Sequence, residues 1–332
     1  MEVQFLAQGI FLPAIGLWLD PRVPVEAAWL SHAHIDHARG VHALALGTPQ
    51  TLDLYVDRWP EAGPRRRLVP MPPGEPLAFR GARLTACPAA HILGAAQLLV
   101  EFQGERLVYT GDIKLLPPLL GWRTEPVPCD TLILESTFGL PVFHFLAADA
   151  ARDRITAFAA GCLERGETPV FLGYPLGRGQ EIVHVLAHAG LPVAVHGAIA
   201  RYLPHYEKAG YTFPGWQPYA AGATQGRALV LTPSMRAQAE ASVRRPRIAY
   251  VSGWAMLDAA RSRTGADELI PYSDHGGFSE LLDIARLSGA RTVHLVHGYT
   301  EPLALMLRER GIDARPQGAM LAPAMTAQEA GA

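Results

Sequence analysis

Residues 31–37 read Ser31-His32-Ala33-His34-Ile35-Asp36-His37, so four potential metal ligands, His32, His34, Asp36 and His37, fall within six residues directly behind an apolar run. A single histidine usually packs or caps, but imidazoles and a carboxylate at H-x-H-x-D-H spacing read as part of a metal site. Hydrolytic metal sites use these ligand types, and a centre with two ions about 3.5–4 Å apart also needs a carboxylate that can bridge them. His32 and His34 alternate about Ala33, so an extended stretch would set both rings on one side. Asp36 and His37 follow a turn and can face a second ion. Further ligands must come from elsewhere in the chain, and His91, Asp112 and His297 each stand at the end of an apolar run.

Those runs are the elements that must position the site. Residues 27–30 lead into His32, 84–90 into His91, 107–109 into Thr110-Gly111-Asp112, and 132–134 into Glu135-Ser136-Thr137. Short buried strands that end in loops present chemistry in this way, because the strand is rigid and the loop carries the functional group. The pattern returns near the end, where a strand at 292–296 runs into His297-Gly298. It follows a helix at 278–288 with Leu281, Leu282 and Ala285 on one face and Gly289 at its stop. Pro302 and Gly311 bracket a last helix.

Between these parts the character changes. Helical patterns at 148–165 and 179–189 alternate with strand-like runs at 168–172, 193–195, 228–231 and 248–251. This is the signature of a small α/β unit with a mostly parallel sheet. Residues 146–270 are therefore expected to form a domain inserted into a first one made of 1–145 and 271–332.

Bulk properties narrow the class. A chain of 332 residues that is 49% hydrophobic and 18% charged has the composition of an ordinary globular protein. Its net charge of −2 leaves no global basic field, so any nucleic-acid contact must be local. Cys87, Cys129 and Cys162 are scattered, which argues against a disulfide framework or a thiolate zinc site and for a reducing compartment. No signal-peptide pattern or membrane-length apolar run is read, so a cytoplasmic location is expected. Disorder is expected only for the small, polar residues 322–332.

The motifs resemble a known family, the metallo-β-lactamase fold nucleases of the beta-CASP group. The resemblance runs over nearly the whole chain. It rests on Asp20 at the close of an early strand, the His32–His37 motif, His91 in Ala90-His91-Ile92-Leu93-Gly94, and Asp112 in Thr110-Gly111-Asp112. Three further segments resemble that group's A, B and C motifs: Glu135 in Glu135-Ser136-Thr137-Phe138-Gly139, His275 in Ser273-Asp274-His275-Gly276-Gly277, and His297-Gly298. The resemblance implies a metallo-β-lactamase αββα sandwich with an inserted α/β beta-CASP domain. It implies two divalent ions, zinc in the first place with manganese tolerated. One would be held by His32, His34, His91 and Asp112, the other by Asp36, His37, His297 and the shared Asp112. A hydroxide between the ions would attack the phosphodiester. Asp36, Glu135 and His275 would be the catalytic groups, with His275 acting on the leaving oxygen and Glu135 orienting it or a metal-bound histidine; Asp20 would support the site.

Within that group the chain is similar to bacterial ligase-associated DNA exonucleases, through its compact length, Cys87-Pro88-Ala89-Ala90-His91 and Glu135-Ser136-Thr137-Phe138-Gly139-Leu140-Pro141. This implies a DNA exonuclease of repair, acting on single-stranded DNA or DNA ends and linked in function to an ATP-dependent DNA ligase and a helicase. His297 is a departure from Artemis-like DNA nucleases, which lack a histidine at motif C. The alternative is an RNA-processing endonuclease or exonuclease of the RNase J or cleavage-factor type. Candidate phosphate contacts are Lys114, Ser136, Thr137, and Gly177 and Arg178 in a glycine-rich turn before a helix. Arg65 to Arg67, and Arg244, Arg245 and Arg247, form short basic clusters. His42, His144, His184, His188, His196, His205 and His294 stand outside any such motif and are read as packing or surface residues.

Overall fold

The computed structural model describes residues 1–62, 67–222 and 224–317. Arg65, Arg66 and the tail 322–332 lie outside them. Two compact units divide the described chain, one formed by Met1–Pro141 with the segment from His275 onward, the other by Val142–Asp274.

The first unit contains two sheets. Strands Gln4–Leu6, Gly9–Leu12, Leu17–Leu19, Ala27–Trp29, Leu44–Gly47 and Arg67–Pro70 lie side by side in chain order. The second sheet runs Asp313–Pro316, Thr292–Gly298, Thr131–Ser136, Glu105–Tyr109, Ala96–Phe102, Ala82–Pro88 and Pro76–Phe79. Period-two burial explains their packing: Leu17 and Leu19 are buried about a half-exposed Trp18, and Ala82, Leu84 and Ala86 are buried while Arg83 points out. The inward faces, including Leu12, Leu17, Trp29 and Leu46 from one sheet and Leu84, Leu98, Val100 and Tyr109 from the other, form one core. Helix Pro49–Arg58 covers the first sheet with Leu52 and Tyr55. Helices Phe278–Leu287 and Thr300–Arg308 cover the second, giving a helix–sheet–sheet–helix sandwich.

Strands Glu105–Tyr109, Thr131–Ser136 and Thr292–Gly298 are mutually parallel, so their C-terminal ends share one sheet edge. The last of them extends two residues beyond its expected end. His297 therefore lies inside the strand, at a register shift where Glu135 pairs with Val296 and Ser136 with Gly298. The unpaired residue of this bulge takes φ 57°, a backbone state rare for a side-chain-bearing residue, and it aims His297 away from the ladder.

The second unit is a parallel six-stranded sheet in the order Trp216–Pro218, Val193–Val195, Ala228–Leu231, Thr168–Leu172, Pro246–Val251, Glu268–Ile270. Helices Ala148–Glu164 and Arg178–His188 pack on it, as the alternating pattern implies. No helix among the described residues is long and apolar enough to cross a membrane.

Leu98 is fully buried in the core of the sandwich. Leu98→Ala should lower stability by about 2–5 kcal/mol, through lost transfer free energy and the cavity left behind. A drop in the urea midpoint with an unchanged slope checks it.

Candidate metal centre

Four strand ends and one turn bring the histidines together. Ala27–Trp29 delivers His32, and the chain then turns, with the N–H groups of His37 and Ala38 both donating to the His34 carbonyl. The extended stretch expected across His32 and His34 is thus a bend followed by a turn. It still sets His34 Nδ1 3.1 Å from His32 Nε2 and 3.0 Å from His91 Nε2. Asp112 Oδ2 lies 3.5 Å from His32 Nε2, 3.7 Å from His91 Nε2 and 3.4 Å from His37 Nε2. His32, His34, His91 and Asp112 thereby form one compact ligand group. The second set is looser. Asp36 Oδ2 is 3.7 Å from His37 Nε2, and the His297 ring centroid is 5.3 Å from that of His37.

Tautomers follow from the hydrogen bonds. Asp20 Oδ2 accepts from Ser31 Oγ at 2.5 Å, His37 Nδ1 at 2.8 Å and Tyr109 Oη at 2.8 Å, and its Oδ1 accepts from the Ser31 N–H at 2.7 Å. Since the Ser31 hydroxyl proton goes to Asp20, His32 Nδ1, 3.0 Å away, must donate to Ser31 Oγ. Burial, then the charges of His37, His91 and His34, push the His32 pKa well below the ordinary value, so the ring is neutral and Nε2 presents a lone pair to the cluster. Asp20 likewise fixes the Nδ1–H of His37 and leaves Nε2 facing Asp36 and Asp112. A carboxylate behind an imidazole is how metal-ligating histidines are oriented.

This arrangement fits a divalent metal. His34 Nδ1 has at most one proton to share between two facing Nε2 atoms, so at least one close N···N contact lacks a hydrogen bond that a cation would replace. The electrostatics agree. Burial raises the Asp112 pKa to about 7 against the pull of His37. Burial also disfavours the His37 imidazolium, but Asp112, Asp36 and Asp20 outweigh it and hold that ring well above the ordinary histidine value. Burial and His37 lower His297 to about 4. A cation at the centre would compensate Asp112 in place of those protons.

Beside the cluster, His275 Nε2 is 4.0 Å from Asp112 Oδ2 and its Nδ1 is 2.9 Å from Glu135 Oε2. Glu135 is fully buried; burial opposes its ionisation, but His275, Thr137 and the Ile113 N–H, 2.6 Å from Oε1, lower its pKa. Gly111 permits this close assembly. It has φ 55°, and a Cβ there would lie 2.5 Å from Ser31 Cβ.

Several expected phosphate contacts are placed otherwise. Lys114 is 0% exposed, so its ammonium is not presented to solvent. Ser136 is fully buried and its hydroxyl donates to the backbone carbonyls of Val296 and His297, tying two strand ends together. Thr137 bonds to Glu135. In the second unit the Gly177 N–H is capped by Gln180 Oε1 at 2.7 Å. Arg178, 1% exposed, is paired with Glu181 and, at 3.2 Å, with Asp274, and its guanidinium stacks 4.5 Å over Tyr272. Arg245 and Arg247 pair with Glu167 and Asp267. His42 is a buried packing residue stacked on Tyr55, lowered to about 4 by burial. Ser31 and Tyr109 were not singled out in the sequence; adjacency to the motif marks the first, while nothing local marks the second.

Residues 5–152 match the model of the family described as Beta-lactamase superfamily domain. The chain carries a metallo-β-lactamase superfamily domain. Its sandwich and α/β unit are the metallo-β-lactamase fold with an inserted domain. It is 33% identical over 321 residues, 94% of the chain and 31% of the relative, to an Opitutus terrae protein named "Probable DNA ligase". It is 35% identical over 112 residues to "Cleavage and polyadenylation specificity factor subunit 3" of Dictyostelium discoideum, 33% of this chain and 14% of that one. An "RNase J-like protein" of Methanocaldococcus jannaschii is 32% identical over 100 residues, 30% of this chain and 24% of its own length. The chain thus spans less than a third of each of these relatives. A crystal structure of an Enterococcus faecalis V583 protein of unknown function shares the fold, with TM-score 0.59 and 13% identity over 81% of this chain and 74% of that one.

Two outcomes follow for this superfamily domain. Asp20→Ala should weaken divalent-metal affinity about 10–100-fold, because His37 loses the acceptor that orients it; competition with a chromogenic chelator measures this. Metal uptake near neutral pH should release protons, since His37 is held protonated and Asp112 titrates at about 7 in the metal-free protein. Affinity should then fall as pH is lowered. Calorimetry in buffers of different ionisation enthalpy checks both the release and its sign.

Proposed function

We propose that this chain is a metal-dependent nuclease: a two-metal phosphodiesterase acting in the cytoplasm as a DNA exonuclease of repair, on single-stranded DNA or DNA ends. One observation carries the reading. A histidine that is not part of the compact ligand group, His275, directs Nε2 to within 4.0 Å of Asp112 while Glu135 holds its Nδ1. An imidazole braced by its own carboxylate at the edge of the metal site is placed to pass a proton to a leaving oxygen.

We assign His32, His34, His91 and Asp112 to one ion, and Asp36, His37, His297 and the shared Asp112 to the other. Imidazole and carboxylate ligands without thiolate suit zinc, and manganese is accommodated. Ions bound there would lower the pKa of an attacking water and offset charge on the phosphodiester. Glu135, as a carboxylate, keeps the proton of His275 on Nδ1 and strengthens the basicity of Nε2, which can then carry a second proton and give it to the leaving oxygen. Asp20 keeps His37 in the tautomer that ligation needs. Asp36, 54% accessible at its side chain, is the exposed ligand of this set.

For DNA, the support is the extent of similarity: 94% of the chain aligns with a protein named as a probable DNA ligase, whereas the RNA-processing relatives align with about a third of it. That alignment supports a functional link to a DNA ligase; we propose that the ligase is ATP-dependent and that a helicase is a further associate. The same RNA-processing relatives favour the second reading, an RNA nuclease of the RNase J or cleavage-factor type.

Purified protein given labelled single-stranded DNA and RNA of one sequence, with zinc or manganese, should shorten the DNA; preferential RNA cleavage would replace the first reading with the second. His275→Ala should keep both metals and lose at least about 10²-fold in kcat. Asp112→Ala should lose the metals themselves, as elemental analysis would show. Equal metal loss in the two variants would remove His275 from the reacting centre.

A further inference from the structure

Asp112 and His275 come from segments far apart in the chain, and each lies in a loop with no ladder of its own. Their 4.0 Å separation must be set by whatever joins those loops. Glu135 forms one connection, accepting from the Ile113 N–H at 2.6 Å and from His275 Nδ1 at 2.9 Å. The Gly276 N–H donates to the Ile113 carbonyl at 2.7 Å, which forms a second.

The third is Glu280, in the first turn of helix Phe278–Leu287. Its Oε2 accepts from the N–H groups of Leu115 at 2.9 Å and Leu116 at 2.7 Å, in the loop after Asp112. Its Oε1 accepts from the Gly277 N–H at 3.1 Å, two residues after His275. The side chain is 8% exposed, so water does not substitute readily for these partners. Gly276 has no room to spare between the loops: a Cβ there would lie 3.3 Å from Glu280 Cβ and 3.4 Å from the Ile113 carbonyl oxygen. A capping glutamate ordinarily satisfies the N–H of its own cap residue. Here the same carboxylate also satisfies two N–H groups of the other loop.

We infer that Glu280 is a positioning residue, which holds the Asp112 loop and the His275 turn at a fixed separation and so aligns His275 with the metal carboxylate. This rests on the proposed role of His275. Glu280 touches neither substrate nor metal; it acts through the two loops. Misplacement of a reacting group by about 1 Å can cost on the order of 10²-fold in rate, so a loosened separation should appear in kcat and not in KM.

The test uses the full-length, metal-loaded protein and Glu280→Ala, with Glu280→Gln as the milder change in which one carbonyl oxygen remains to accept. Glu280→Ala should keep both metals, lower kcat on labelled DNA at least about 10-fold with KM within about 2-fold, and be exceeded in rate by Glu280→Gln. Combined with His275→Ala it should cause no further loss, because the two act through one group. An activity-independent readout is the nitrogen-bound proton of His275 Nδ1 in histidine-labelled protein, whose downfield resonance should shift or broaden in Glu280→Ala. Unchanged kcat and an unchanged resonance, with only a lower melting temperature, would make Glu280 a helix cap and overturn the inference; so would rate losses that multiply in the double variant. If His275→Ala alone left cleavage intact, the reading of His275 would fail, while the resonance would still report whether Glu280 sets its position.

Discussion

Nitrogen and oxygen lone pairs that face one another at 3.0–3.7 Å in a buried place repel unless a proton or a cation stands between them. His32, His34, His91 and Asp112 face one another at these distances, with fewer protons than contacts at His34 Nδ1, and the rest of the site can be understood as what keeps them there. Burial disfavours an imidazolium at His32 and an anion at Asp112. In the metal-free protein the charge on His37 partly relieves Asp112. A divalent ion would relieve all of these groups at once, so the cluster is costly without a cation and favourable with one.

Holding such a cluster requires rigidity that loops lack. Asp20 supplies it by accepting four hydrogen bonds, from Ser31 twice, His37 and Tyr109. It does so from a left-handed backbone conformation, φ 43°. Ala90, just before His91, has φ 56°, and His297 has φ 57°. Strain of this kind costs about 1–3 kcal/mol per residue and persists only where packing over-determines it. The two-sheet core, with Trp29 and Tyr109 buried immediately before the loops they feed, provides that packing. Helix, sheet and turn therefore serve one purpose at this edge: they fix donor atoms that would otherwise separate.

The sequence made the site more legible than its surroundings. His32–His37 and the strand-end positions of His91 and Asp112 are local signals, and parallel pairing of three strands is what makes their ends converge. The helix at 148–165 and the strands at 168–172 and 193–195 were readable because a long helical stretch free of proline alternates with short buried apolar runs, as a parallel α/β unit requires. What was not readable is what depends on distant partners. The bulge at His297 arises from the register of two strands, and no residue pattern announces it. Tyr109 looks like any core aromatic until its hydroxyl meets Asp20. Lys114, Ser136 and Arg178 had the chemistry of phosphate ligands, but burial and pairing are properties of the fold, and these direct that chemistry inward. Arg178 shows this most clearly: a glycine-rich turn before a helix suggests an anion site, yet Gln180, Glu181 and Asp274 already occupy the donors it would have offered.

The inward direction of those cations bears on how a polymer would be held. Proteins that bind nucleic acid through the phosphate backbone use accessible lysines and arginines, and their affinity falls steeply with salt. In this chain the net charge is −2, Lys114 and Arg178 are buried, and Arg245 and Arg247 are engaged with carboxylates. In the first unit a demand for compensating charge lies at the cluster around Asp112, where burial, against the pull of His37, raises the carboxyl pKa to about 7. Divalent ions held there would present concentrated positive charge to a phosphate. A phosphate entering the site would then meet positive charge at the cluster itself, whatever the exposed arginines of the surface contribute along a strand.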